Sequence, residues 1–280
     1  MNETNKNWKR IQDAGGAAAA LAKHFFAQNF AALCLLFAAA TGFTRCHPPA
    51  ALTGTQAGFK EIFDGKTLNG WQGDSLYWRV EKGAITGETT PASLLKKHNS
   101  FLIWQGGEPA NFELKVVYKI SAEGNSGINY RSEKITGEHA LKGYQADIDG
   151  EQNYSGSNYE ERGRTTLAAR GEIVLLLAYN ENKTGAIQNF TAGNVWTNKA
   201  IKQTAINADS LKSFINNGEW NEYHIIANGY RLQHYINGIL MSDVSDKDTL
   251  NRKMKGLLGV QVHVGPPMLV QYKSIRLKTL

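Results

Sequence analysis

Short runs of alternating apolar and polar residues, separated by turn residues, follow one another along most of the chain. Within 111–121, Phe112, Leu114 and Val116 alternate with Glu113 and Lys115. Because successive side chains of a strand point to opposite faces of a sheet, this pattern predicts a strand with one face in a core. Comparable runs continue to the end of the chain, and they do not alternate with helical segments. The pattern therefore predicts an all-β, antiparallel sandwich.

Turn residues divide these runs into hairpins. The stretch YWRVEKGAITG is two short strands joined at Glu81-Lys82-Gly83. Asn228-Gly229 and Asn237-Gly238 are the residue pairs that type I′ turns favour, and they bracket one strand. Helical periodicity is faint and confined to residues 201–214. No internal repeat is present, so we expect one sandwich domain over residues 58–280.

The N-terminal segment, residues 1–45, differs from this body. Residues 25–43 carry no charge, and Lys6, Lys9, Arg10 and Lys23 precede them. A cationic start followed by an apolar run predicts an export signal; an uncleaved anchor is the alternative, because the run approaches the ~20 residues that span a bilayer. Cys46, which opens a linker over residues 46–57, offers lipid attachment as another route to the membrane. We therefore expect the periplasm or the cell envelope as the working compartment.

Composition and charge exclude several classes of function. The chain of 280 residues is 42% hydrophobic and 20% charged, as in ordinary globular proteins that bury a core. About half of the net charge of +6 belongs to the first 45 residues, and the body has no run of Lys or Arg that could follow a phosphate backbone. We expect no nucleic acid partner. No dinucleotide fingerprint, phosphate loop or Ser-His-Asp order appears.

Three predicted strands carry polar groups of fixed hydrogen-bonding geometry on one face. A strand half in water explains such alternation by itself, but amide, carboxylate, guanidinium and imidazole groups on neighbouring strands would form a platform for the hydroxyls of a sugar. These positions are Asn129 and Arg131 in NSGINYRS, Gln145, Asp147 and Asp149 in GYQADIDG, and Gln261 and His263 in GVQVHVG. The loop NYSGSNYEERGRTTL adds aromatic and charged residues, and Trp104 is one of several tryptophans that could stack on a sugar ring.

The order of the motifs GFKEIFDGKTLNGWQG, YWRVEKGAITG, GNSGINYRS, GYQADIDG, YEERGR, WNEYHIIANG and QVHVGPPMLVQYKSIRLK resembles the 3-keto-disaccharide hydrolase family. The resemblance covers residues 58–280. It implies a concanavalin-A-like jelly-roll sandwich with a polar concave face, and activity on glycosides whose ring carries a ketone at carbon 3. In the family a further Gly more often follows RGR, whereas Thr165 stands at that position here.

The resemblance also implies a chemistry. A ketone at carbon 3 acidifies the hydrogen on carbon 2, and the enolate formed can expel the substituent at carbon 1. We expect Asp147, Asp149 or Glu160 as the base, Arg131 or Arg162 at the enolate oxygen, and His263 as an acid or a metal ligand. We expect substrate contacts from Asn125, Asn129, Tyr130, Arg131, Gln145, Tyr159, Trp104 and Gln261.

A divalent metal would fit a ligand set of His263, Asp147 or Asp149, and Glu160. A separate sugar 3-dehydrogenase would have to make the keto-sugar. Two alternatives stay open. One is an ordinary glycoside hydrolase with Asp147 and Asp149 as the carboxylate pair, which retaining enzymes hold ~5–5.5 Å apart. The other is a lectin-like module that binds an oligosaccharide without cleaving it.

Overall fold

The structure is a computed structural model that describes residues 58–136, 140–178, 191–204 and 207–280. The predicted export signal or anchor, Cys46 and the linker lie outside the described residues. Within these ranges, no helix combines the length and the apolar character needed to cross a bilayer. The described residues form two sheets and one short helix, α1 (Ala208–Lys212), so the predicted all-β class is confirmed.

The first sheet contains ten strands of the described chain. Two of its long strands, Phe112–Ile120 and Asn221–Asn228, alternate between buried and more exposed positions, as the sequence pattern predicts. In chain order the strands are β1 (Lys60–Glu61), β3 (Trp78–Glu81), β4 (Ala84–Thr89), β6 (Phe112–Ile120), β11 (Glu172–Leu176), β14 (Lys199–Thr204), β15 (Asn221–Asn228), β16 (Arg231–Ile236), β17 (Ile239–Asp246) and β19 (Met268–Thr279).

The second sheet contains nine strands in the order β12-β13-β10-β9-β8-β7-β18-β5-β2. It brings together the three strands whose polar faces the sequence singles out, because β8, β7 and β18 are direct neighbours. The strands are β2 (Trp71–Gln72), β5 (Ser100–Trp104), β7 (Asn125–Lys134), β8 (Leu141–Asp149), β9 (Asn158–Glu161), β10 (Thr165–Ala168), β12 (Thr191–Ala192), β13 (Val195–Trp196) and β18 (Leu257–Val262).

Two strand pairs depart from the expected antiparallel arrangement. β11 runs parallel to β17, and β10 runs parallel to β13. The short connection from β10 to β11 takes the chain from the second sheet to the first. There β11 pairs with β17 and runs in the same direction. Both sheets are therefore mixed, although antiparallel pairs dominate.

Two of the three predicted turns are confirmed, and the third is shifted by one residue. Lys82-Gly83 and Asn237-Gly238 each have positive φ at both residues, as type I′ turns require. At the third turn Asn228 still pairs with Arg231, so the loop is Gly229-Tyr230. Only Gly229 has positive φ there, at 55°, which is the pattern of a type II′ turn.

Aromatic and aliphatic side chains fill the space between the sheets, and hydrogen bonds cross it. The Tyr130 hydroxyl lies 2.9 Å from Nε2 of His234, and the Tyr144 hydroxyl donates to Asp246 over 2.6 Å. His234 is fully buried, and this burial lowers its pKa to about 3. These contacts fix the inner face of the second sheet, which leaves its other face for Gln145 and Asp147.

Candidate functional site

Side chains of the second sheet converge over its central strands. Glu161 on β9 and Gln261 on β18 are separated by β8 and β7, so about 14 Å separates the two strand axes at ~4.8 Å per strand. Their long side chains lean toward each other and approach to 3.3 Å, from Gln261 Nε2 to Glu161 Oε2. A cavity over the same strands makes this outer face concave.

A polar cavity of about 310 Å³ occupies this concave face. Its floor comes from β7, β8, β9 and β10, and its walls from the segments at their ends. The lining residues are Asn99, Asn125, Gln145, Asp147, Tyr154, Tyr159, Glu161, Thr166, Asn194 and His263. The structure thus brings together Asp147, His263, Asn125, Gln145 and Tyr159 of the sequence-predicted set.

Asp147 lines the cavity from β8, the strand between β7 and β9. Its side chain is almost fully buried, and burial raises its pKa well above the ordinary value of 3.8; the nearby charges of Asp149 and Glu161 act in the same direction. Gln145 Nε2 donates to Asp147 Oδ1 over 2.9 Å, which partly opposes the shift. A carboxyl in this environment holds its proton well above the pH at which an exposed aspartate loses it.

Glu161 is the second carboxyl of the cavity. Burial raises its pKa as well, whereas hydrogen bonds from Gln261 and Asn99 and the charge of Arg162 favour its ionised form. Gln261 Nε2 donates both to Glu161 and to Gln145 Oε1, the latter over 3.0 Å. Two glutamine amides therefore link the two carboxyls, and each carboxyl accepts an amide N–H.

His263 lies beside these groups at the end of β18. Its Nδ1 is 2.6 Å from the carbonyl oxygen of Val264, so Nδ1 carries the hydrogen and donates. Because a neutral imidazole has one donor and one acceptor nitrogen, Nε2 is left as the acceptor when the ring is neutral. His263 can thus take a proton or accept a hydrogen bond from a substrate hydroxyl.

Asp149 does not line the cavity, although it alternates with Asp147 along β8. Its carboxylate accepts the backbone N–H groups of Asn153, Tyr154 and Ser155 over 2.7, 3.0 and 2.7 Å, and the Ser155 hydroxyl over 2.9 Å. Three of these contacts fall on Oδ1 and one on Oδ2, so both carboxylate oxygens are bound to the loop at 153–155. The expected catalytic role of Asp149, and with it the Asp147–Asp149 pair of an ordinary glycosidase, does not match this arrangement.

Glu160 points away from the cavity, into the space between the sheets. It pairs with the fully buried Arg164 over 2.7 Å, and Arg164 also contacts Asp246 over 2.7 Å and Asp248 over 3.3 Å. The reason is the register of β9: Asn158 and Glu160 face inward, so their neighbours Tyr159 and Glu161 face the cavity. Glu160, the expected base, therefore lies outside the cavity, and its neighbour Glu161 lines it.

Arg131 and Tyr130 are also not in the cavity. A bulge follows Tyr130 in the β7–β8 register, and Arg131 has a φ of 45° there, which breaks the alternation. The buried Arg131 guanidinium instead donates to backbone carbonyls, at 2.6 Å to Ala110 and 2.7 Å to Gly229. Tyr130 packs in the core against Tyr144. Both residues stabilise the sandwich.

The other predicted residues lie around the cavity without lining it. Trp104 packs against the main core, and Arg162 is exposed at a turn, with Nη2 2.9 Å from His98 Nδ1. Gln261 lies under the cavity and joins its carboxyls. Asn129 lies in line with Gln145 but is completely buried, and neither atom of its amide has a hydrogen-bond partner in the described chain.

Sequence reasoning missed half of the cavity. Glu161 and Tyr154 stand in the loop singled out for its charges and aromatics, but only the register of β9 selects Glu161. Thr166 stands in the same loop but is neither charged nor aromatic, and Asn99 and Asn194 lie in sequence that nothing local marks. They reach the cavity only because strands distant in sequence become neighbours.

The metal ligand set suggested by the sequence is not assembled. Its third member, Glu160, is held by Arg164 on the opposite face of the sheet. Within the described ranges, no group of three or more His, Cys, Asp or Glu side chains is arranged to hold a metal ion. The residues therefore do not fit the ligand set of the sequence hypothesis, and we derive no step through a metal.

Comparison with known proteins places the chain in a family. Residues 58–278 match the model of the 3-keto-alpha-glucoside-1,2-lyase-like domain. The chain belongs to this family. The expected resemblance is thereby confirmed over nearly the whole described body, and the ordered motifs quoted above are motifs of a 3-keto-alpha-glucoside-1,2-lyase-like domain.

Individual relatives agree with this assignment. The chain is 34% identical over 84 residues to a 3-keto-disaccharide hydrolase of Bacteroides thetaiotaomicron, an alignment that spans 28% of this chain and 29% of that protein. A solved structure from Parabacteroides distasonis, provisionally described as a glycosyl hydrolase, has 16% identity and a TM-score of 0.50, covering 79% of this chain and 99% of that one. The latter likeness concerns the fold alone.

Proposed function

We propose that this protein cleaves the glycosidic bond of 3-keto-glycosides in the cavity of the second sheet. Membership of the 3-keto-alpha-glucoside-1,2-lyase-like domain family supports the substrate class. The observation that carries the proposal is the pair of Asp147 and Glu161, two cavity carboxyls of raised pKa joined through Gln145 and Gln261.

The two carboxyls have different environments, and this difference assigns their roles. Asp147 is surrounded by other acids, with one amide donor on Oδ1, so it is the proton donor through Oδ2. Glu161 accepts hydrogen bonds from Gln261 and Asn99 and lies near the charge of Arg162, so it is the base. Its raised pKa makes it a stronger base than an exposed glutamate.

The first half of the reaction removes the leaving group. Glu161 takes the proton from carbon 2; the C2–H electrons form a C2=C3 bond and the carbonyl electrons move to the oxygen on carbon 3. The ketone then re-forms, the C2=C3 electrons move to C1=C2, and the bond from carbon 1 to the leaving oxygen breaks. Asp147 donates its proton to that oxygen. Each positioned proton transfer contributes ~10²–10⁴-fold to the rate.

The second half decides between elimination and hydrolysis. If the unsaturated ketone leaves, the net reaction is an elimination. If water adds, its oxygen bonds to carbon 1, Asp147 takes the proton of the water, and Glu161 returns its proton to carbon 2. Both carboxyls then regain their starting states, and the net reaction is hydrolysis.

The enolate oxygen needs hydrogen-bond donors, which are worth about 10²–10³-fold each in oxyanion holes. The side-chain amides of Asn99 and Asn125 line the cavity and supply this donor type.

The domain itself does not make the ketone, so a separate sugar 3-dehydrogenase supplies the substrate. The apolar segment at residues 25–43 exports the protein to the periplasm or the cell envelope, where it is released by cleavage, anchored, or held by a lipid on Cys46.

The proposal is tested by incubating the purified protein with a series of 3-keto-glucosides and the matching unoxidised glucosides, with products identified by mass spectrometry. We expect release of the leaving group from the keto series alone. Incorporation of ¹⁸O from labelled water at carbon 1 identifies hydrolysis, and an unsaturated ketone identifies elimination. Turnover of unoxidised glucosides instead would indicate an ordinary glycosidase, and binding without turnover would indicate a lectin-like module.

A further inference from the structure

The cavity has two chemically different sides. Sheet order places β7 and β18, with Asn125 and the nearby His263, on one side of Asp147. On the other side, toward the sheet edge formed by β12 and β13, sheet order places Tyr159, Glu161, Thr166 and Asn194, and Tyr154 lines the cavity from the loop between β8 and β9. The Glu161 carboxylate reaches back across β8 and β7 to Gln261, and Tyr154 and Tyr159 supply the aromatic rings of the cavity lining.

Tyr154 is an exposed aromatic residue on a rigid loop. Its side chain lines the cavity, yet 54% of the residue is exposed to solvent. The loop that carries it is fixed by the Asp149 carboxylate, which accepts three consecutive backbone N–H groups at 153–155. A large apolar ring held at the mouth of a polar cavity loses little conformational freedom when a ligand covers it, so stacking there is favourable.

Asn194 occupies the tip of a two-residue hairpin turn. Gly193 and Asn194 both have positive φ, 55° and 63°, between β12 and β13, which is the geometry of a type I′ turn. The Asn194 backbone carbonyl accepts from Thr166 N over 3.2 Å, and its side-chain Oδ1 accepts the Tyr159 hydroxyl over 3.3 Å. The hairpin is thus bound to the sheet edge, and its exposed amide nitrogen is available to a ligand.

We propose that this edge side is the leaving-group subsite, and that Tyr154 with Asn194 selects leaving groups that contain a ring, such as a second sugar. The inference rests on the proposed function. Asp147, the proposed proton donor to the leaving oxygen, lies on β8 between β9 and β7, which places the breaking bond between the two sides of the cavity. Leaving groups differ in size and must reach solvent, and Tyr154 and Asn194 form the exposed side. Tyr154 stacks on the ring of the leaving group, and the Asn194 amide contacts its polar substituents.

The test compares two probes, methyl 3-keto-glucoside and a 3-keto-disaccharide, with the purified full-length protein. The measured quantity is the ratio of kcat/KM for the disaccharide to kcat/KM for the methyl glucoside. Tyr154→Ala removes the ring, Tyr154→Phe keeps it, and Asn194→Ala removes the amide. Tyr230→Ala is the matched control, because Tyr230 is 41% exposed on a turn of the first sheet, outside the cavity.

We expect Tyr154→Ala to lower this ratio about 2- to 10-fold, since aromatic contacts contribute ~0.5–1.5 kcal/mol and about 1.4 kcal/mol corresponds to tenfold. Tyr154→Phe should restore most of the loss, and Asn194→Ala should lower the ratio in the same direction. Tyr230→Ala should leave the ratio unchanged.

If Tyr154→Ala leaves this ratio unchanged, whether kcat/KM stays the same or falls equally for both probes, the subsite is overturned and the proposed function stays in place. Absence of turnover of both probes by the unaltered protein would overturn the proposed function and the subsite with it. Turnover of the probes by the unaltered protein therefore separates a failure of the subsite from a failure of the proposed function.

Discussion

Asp147→Asn tests both the chemistry and the electrostatics of the cavity. The amide has nearly the shape of the carboxyl but cannot donate an acidic proton to a leaving oxygen. We expect kcat/KM for a 3-keto-glucoside with an alkoxide leaving group to fall by about 10²–10⁴-fold. With a nitrophenolate leaving group, which departs without protonation, the loss should be clearly smaller.

The same substitution changes stability with a defined sign. Burial raises the pKa of Asp147 above 3.8, so the folded protein holds a proton that the unfolded chain has lost. The free energy of unfolding of the wild type therefore falls as pH rises from this ordinary value toward the folded pKa. The slope is at most ~1.4 kcal/mol per pH unit. Asparagine does not titrate. The variant should gain stability relative to the wild type across this window, and the gain should level off above it.

The assay is urea unfolding of both proteins at several pH values between 4 and 8, together with kinetics on the two leaving groups. A stability difference that does not change with pH would refute the buried protonated carboxyl. Equal losses of kcat/KM with both leaving groups would refute the role of proton donor. Asp209→Asn, at a side chain that is 82% exposed on α1, is the control for activity.

Three further predictions concern the adjacent residues Glu160 and Glu161, the backbone strain at Thr165, and the buried Arg131. Glu161→Gln should lower kcat/KM about 10²–10⁴-fold, whereas Glu160→Gln should mainly lower the free energy of unfolding, by about 1–3 kcal/mol; the reverse result would contradict the register of β9. Thr165 has a φ of 65°, in the left-handed region that favours Gly. Thr165→Gly should therefore raise the free energy of unfolding by about 0.5–1 kcal/mol, and a loss of stability in thermal unfolding would contradict this strain. Arg131→Met leaves backbone carbonyls without a donor, so it should lower the free energy of unfolding by about 3–5 kcal/mol and leave KM of the folded enzyme unchanged; a selective rise in KM would return Arg131 to the site.

Much of the fold follows from local pattern. The alternation at Phe112, Leu114 and Val116 reports a strand with one buried face, and that strand is β6. Turn chemistry places the hairpin at Lys82-Gly83, because few residue pairs accept positive φ at two consecutive positions. The parallel pairing of β11 with β17 could not be predicted in this way, because it depends on where the chain crosses between sheets.

Local pattern also predicted only part of the candidate site. Local alternation was sufficient for Gln145 and Asp147, since β8 is regular and its inner face is occupied by Tyr144 and Ile148. It failed at Arg131, because a single extra residue in a bulge reverses the side chains that follow.

The sequence by itself determined the all-β class, the polar face of β8 and the family to which the chain belongs. Only the tertiary structure decided which carboxyls line the cavity: Asp149 is bound by a loop, Glu160 is paired with Arg164, and Asp147 and Glu161 remain in the cavity. The physical reason is that the sequence gives the residue type at each position, whereas the burial and the hydrogen-bond partners of a side chain come from segments far away in the chain. The pKa that makes a carboxyl useful depends on those partners.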